Sequence, residues 1–182
     1  MRDYTFIGTE VLNKYFMENK VGLFIYEAIG SLALDLLIII YLTLWWVNWH
    51  TFRLFPAYIV FYAIRGYIQN KFFMGRPEGY LWENNNFPSL VVVYHDISDF
   101  YYSGHIGSTV IIFHESYAQG WKKGFYVIVF VCCFEWVFLT IIRGHYVIDL
   151  VMGCIFARIM HMLSETSIIC WICDVKICGY PL

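Results

Sequence analysis

Apolar residues run almost unbroken from Val21 to Val47, longer than the roughly 20 residues an α-helix needs to cross a bilayer core. Trp45, Trp46 and Trp49 close that run, as indole rings do at a membrane–water boundary. A second span is expected from about Phe52 to Phe73, with Pro56 near its first turn, where a missing amide proton costs least. A third, shorter one follows from Ser103 to about Tyr117, a fourth from Trp121 to Ile142, and a fifth from His145 to about Leu163. Ahead of them, residues 1–20 interleave Arg2, Asp3, Glu10, Lys14, Glu18 and Lys20 with Phe6, Ile7, Val11, Leu12, Phe16 and Met17. That spacing predicts an amphipathic helix lying on a membrane surface or on a partner, and the pattern of a cleavable signal peptide is missing. Between the second and third spans lies the one sizeable loop, Met74 to Phe100, in which Pro77 and Pro88 bracket Asn84, Asn85 and Asn86. The expected fold is all-α: a polytopic membrane helix bundle of about five transmembrane helices over residues 21–165, an amphipathic segment over 1–20 and a tail over 166–182.

Composition agrees with that class. Hydrophobic residues make up 60% of the chain and charged residues 14%, against about 45–50% and 25% in soluble domains. A net charge of -2, with the few Lys and Arg scattered, leaves no basic face for nucleic acid. Cys132, Cys133 and Cys154 fall inside apolar segments, so no disulfide framework is implied. Cys170, Cys173 and Cys178 are open to metal binding or acylation, but no His or Cys pair stands in a zinc arrangement with them. Basic residues fall on both faces, Lys122 and Lys123 on one and Lys71, Arg76 and Arg143 on the other, so charge bias assigns no orientation. The chain is an integral membrane protein, with an endomembrane and a mitochondrial inner-membrane location both open.

Candidate chemistry sits in two stretches. Arg143-Gly144-His145-Tyr146-Val147-Ile148-Asp149 places an imidazole and a carboxylate four residues apart where a span begins, on one face of a helix. A carboxylate accepting the Nδ1 proton leaves Nε2 as a free lone pair, which makes a neutral histidine a nucleophile or base. The plainer alternative is a His and an Asp that satisfy each other at a helix start. The other stretch, Tyr102-Ser103-Gly104-His105, supplies an N-cap serine, a glycine with room for a ligand, and a first-turn histidine. Counting the crossings places His105 and His145 at helix starts on the same membrane face. Two helix N-termini there would favour a phosphate group. Lys71, Arg76 and Arg143 are the candidate cations on that face, each otherwise an interfacial snorkelling residue. Arg65, inside the second span, is expected to need a partner or a function, and equal depth along their helices nominates Glu135 as that partner.

Together these motifs resemble the phosphatidic acid phosphatase type 2 superfamily, and within it the branch of sphingomyelin synthases and plant-type phosphatidylcholine:diacylglycerol cholinephosphotransferases. The resemblance covers roughly Arg65 to Arg158. Departures from the phosphatase branch are Lys71-x4-Arg76-Pro77, Tyr102 in place of a proline, and Arg143 only two residues before His145; the last two look like the transferase branch. The resemblance implies that His145 attacks phosphorus and becomes a phosphohistidine, that Asp149 orients it, and that His105 protonates the departing lipid oxygen. It implies phosphate contacts from Arg143, Arg76, Lys71, Ser103 and Gly104, no metal ion or cofactor, and a phospholipid and a lipid alcohol as substrates. Six spans are typical there, so residues 1–20 are either a surface remnant of the first or the first is missing. The leading expectation is transfer of a phosphocholine-like head group between lipids. The alternatives are a lipid phosphate phosphatase, a lipid-binding module, and a catalytically retired subunit of a larger membrane complex, such as a mitochondrial inner-membrane assembly.

Overall fold

Lipid offers no hydrogen-bond partner, so apolar chain that crosses it must satisfy its own amides, and among the described residues every regular element is helical. The computed structural model describes residues 4–48, 53–72, 74–82, 87–92 and 100–166. A 3-10 turn at Tyr4–Thr9 leads into α1 (Glu10–Glu18), followed by α2 (Lys20–Asn48), α3 (Leu54–Gln69), α4 (Gly104–Ala118), α5 (Lys122–Ile141) and α6 (Val147–Thr166). Trp49, Asn84, Asn85, Asn86 and the tail with Cys170, Cys173 and Cys178 lie outside the described residues.

Of the about five spans expected, α2, α5 and α6 are long and apolar enough to cross a membrane. α3 and α4 have 16 and 15 residues, which at 1.5 Å per residue rise only about 24 and 22 Å. The second expected span is shorter because its helix stops at Gln69, before the polar Asn70 and Lys71. The outer faces of the long helices expose Phe24, Ile25, Leu32, Phe130, Val137 and Ile155, an apolar surface suited to acyl chains.

α4 is the central element, packed against α3, α5 and α6. Two glycines set how closely its neighbours approach. The Phe61 ring of α3 reaches within 2.0 Å of where a Cβ on Gly107 would lie. Gly153 of α6 sits against the head of α4, where a Cβ would stand 2.9 Å from the Ser103 carbonyl oxygen.

The long loop does not stay outside the bundle. Leu81, Trp82 and Val92 are buried in one cluster with Leu23, Leu34, Ile106 and Phe138, and the Leu81 amide donates to the Ile142 carbonyl at 2.9 Å. Irregular backbone at this position needs internal partners, which Asp35, about halfway along α2, supplies. Its carboxylate accepts from the Leu90 amide at 3.0 Å, the Val91 amide at 3.2 Å and the Ser89 hydroxyl at 2.9 Å.

The N-terminal segment folds onto the same end. Asn13 of α1 is 1% exposed, and its side-chain amide donates to the Ile141 carbonyl at 2.7 Å and the Gly79 carbonyl at 3.1 Å, satisfying an acceptor that the end of α5 leaves open. Ile7, Val11 and Leu12 point outward instead. α1 thus turns Asn13 and the half-buried Phe16 inward and exposes Val11 and Leu12 together with Glu10, Lys14 and Glu18.

Candidate active site at one end of the bundle

α5 ends in a Schellman-type reversal: the Gly144 amide donates to the Leu139 carbonyl at 3.1 Å, and Arg143 occupies the left-handed region at φ 54. A residue with a side chain costs about 1–2 kcal/mol there. The reversal turns the chain inward, leaving His145 only 5% exposed. Because residues 142–144 make this turn, α6 starts at Val147, and His145 does not share a helix face with Asp149 as expected. The pair meets across the turn instead. Asp149 Oδ2 accepts the Tyr146 amide at 3.0 Å, the third-residue half of a capping box, and lies 3.6 Å from His145 Nδ1. That separation is just beyond hydrogen-bond reach. His145 Nδ1 and Asp149 Oδ1 are both buried without a hydrogen-bond partner.

The head of α4 lies against this turn. Ser103 caps α4, its hydroxyl accepting the Ile106 amide at 3.4 Å, and its own amide donates to the Asp149 carbonyl at 3.0 Å. That backbone bond joins the two sequence stretches directly. His105, in the first turn of α4, meets Trp82 edge to face at 5.3 Å, and its buried Nε2 has no hydrogen-bond partner. His145 in turn stands edge-on to Phe100 at 6.1 Å.

The candidate cations divide. Arg143 donates to the Glu78 carbonyl and lies over the Phe6 ring at 5.3 Å, binding the loop and the N-terminal segment to the turn. Arg76 covers the Tyr80 ring at 5.1 Å, and Lys71 is exposed beyond the end of α3. Arg65 reaches the head of α4. Its Nε donates to the Tyr102 carbonyl at 3.3 Å, and its Cζ lies 3.3 Å from where a Cβ on Gly104 would be.

The expected Arg65–Glu135 pair does not form; both Glu135 carboxylate oxygens are buried without a hydrogen-bond partner. With α3 ending at Gln69, Arg65 is four residues, about 6 Å, from the helix end, close enough to point at the site. The signal available in the sequence was a charge inside an apolar helix, which demands a partner or a function.

A protein-family model described as AtPDCT1/2 matches residues 2–166. The chain belongs to the AtPDCT1/2 family, the phosphatidylcholine:diacylglycerol cholinephosphotransferases. No curated protein and no solved structure matches it significantly. In this AtPDCT1/2 member the family match runs through α1 and the loop as well as the two histidine stretches.

Proposed function

We propose that the protein is a membrane phosphotransferase that moves phosphocholine between a phospholipid and a lipid alcohol, phosphatidylcholine to diacylglycerol in the family's own terms, through a phosphohistidine on His145. The observation that carries this reading is the backbone bond from Ser103 to Asp149, which holds the His105 and His145 stretches side by side. The chemistry follows the phosphatidic acid phosphatase type 2 pattern that these motifs resemble.

A shift of about 0.7 Å closes the 3.6 Å gap between His145 Nδ1 and Asp149 to an ordinary hydrogen bond, a tightening typical of catalytic pairs on substrate binding. Nε2 is then the lone pair that attacks phosphorus. The bond from phosphorus to the diacylglycerol oxygen breaks, and His105 donates its proton to that oxygen. An incoming lipid hydroxyl next gives its proton to His105 and attacks phosphorus, and the P–N bond breaks to restore His145. Arg65, Gly104 and the amides at the head of α4 hold the phosphate oxygens, with Arg65 as the inner cation. Lys71 and Arg76, exposed on the same rim, draw anionic head groups to it, while Arg143 shapes the turn.

The test is incubation of purified protein with head-group-labelled phosphatidylcholine, with and without diacylglycerol. Label moving to diacylglycerol faster than phosphocholine is released is the expected result. His145→Ala should abolish transfer, and His105→Ala should slow it roughly a hundredfold or more by removing general acid assistance. Absence of both transfer and hydrolysis in the intact protein would leave the retired-subunit reading in its place.

A further inference from the structure

The end of the bundle remote from the histidine pair holds a second ionisable cluster. Arg53, just before α3, forks onto Glu115 of α4 with Nε 2.8 Å from Oε2 and Nη2 3.0 Å from Oε1, both side chains being almost fully buried. His161 Nε2 lies 3.2 Å from the same Oε2, and the Gln119 side-chain amide donates to Oε1 at 2.7 Å. Glu165 completes the set, its Oε1 3.7 Å from both Arg53 Nη1 and His161 Nδ1. Ionisable groups inside a membrane bundle are costly and mark functional places more often than structural ones.

Within this set Glu115 is answered by Arg53 and His161, but its margin is different. Arg158 is exposed on α6, with Nη1 3.3 Å from His114 Nδ1. Both line a cleft whose walls also include Phe113, Tyr117, His161 and Glu165. His161 is 1% exposed, and its Nδ1 has no hydrogen-bond partner. An adjoining hollow shares Tyr117 and adds Trp121 and Lys122, the residue types that gather where head groups meet the bilayer. A guanidinium beside an imidazole, with aromatic walls behind it, matches a phosphate esterified to something apolar.

We propose that this cleft binds the phosphodiester of a membrane phospholipid from the leaflet opposite the histidine pair, with Arg158 as its anchor and His114 as a second donor. The lipid is held there, not converted.

The test uses full-length protein carrying His145→Ala, so that no turnover consumes the ligand, and counts retained molecules by native mass spectrometry. The probes are dioleoyl phosphatidylglycerol, dioleoyl phosphatidylcholine, dioleoylglycerol and inorganic phosphate. Adding Arg158→Gln should weaken retention of both phospholipids roughly tenfold, the loss of one charge-assisted hydrogen bond, while Arg158→Lys keeps most of it. Retention of dioleoylglycerol should be the same in all variants. His114→Gln should give a smaller loss in the same two phospholipids, and it reads the site independently if the Arg158→Gln protein misfolds. Equal phospholipid retention with and without these side chains overturns the proposal, as does a dependence on Arg158 seen with inorganic phosphate alone.

Discussion

Asp149→Asn separates the electrostatic work of this carboxylate from its structural work, because Asn keeps the size and an oxygen able to accept the Tyr146 amide. As His145 bonds to phosphorus its ring becomes positive, 3.6 Å from Asp149 Oδ2. At an effective dielectric constant of 20, two unit charges at that separation attract by about 4.6 kcal/mol. Divided by about 1.4 kcal/mol per decade, this is an upper bound of roughly 10³-fold in rate. The Asn dipole retains part of it, so transfer from phosphatidylcholine to diacylglycerol in mixed micelles should fall between about a hundredfold and a thousandfold. Asp149→Ala should lose at least as much activity and also the cap, about 1 kcal/mol, read as a melting temperature lower by roughly 2–4 °C for a chain of this size. Two results would refute the reasoning. One is Asp149→Asn transferring at near wild-type rate; the other is Asp149→Asn melting as far below wild type as Asp149→Ala does, which would make its activity loss a loss of stability.

Other parts of the structure give further expectations. Asp35→Ala leaves the Leu90 amide and the Ser89 hydroxyl without their acceptor, at up to about 1–3 kcal/mol for each of these part-buried groups; the variant should melt earlier and be cut faster by protease between residues 74 and 100, and an unchanged cleavage pattern would contradict this anchoring. Glu115→Leu should destabilise by up to about 3–5 kcal/mol by leaving the Arg53 charge only the more distant Glu165 carboxylate, whereas the double change Arg53→Met with Glu115→Leu should recover most of that loss, as read from thermal melts in one detergent.

The apolar pattern determined most of the architecture, because in lipid a long apolar run has one way to satisfy its amides. Val21 to Val47, Trp121 to Ile142 and the run after His145 were legible on that ground alone. Helix order also determined that His105 and His145 share an end, since consecutive crossings reverse direction. What the period of a helix does not carry is its rotation against its neighbours or the path of irregular chain between helices, and those decided the rest. They turned Arg65 toward Gly104 and away from Glu135, and brought Asp35 to the loop amides 55 and 56 residues further on. They also joined Glu115 and His161, from two helices, to Arg53 just before a third. The reversal at Arg143 likewise depends on a backbone conformation that an arginine does not announce, so only the folded chain showed that His145 meets Asp149 across a turn.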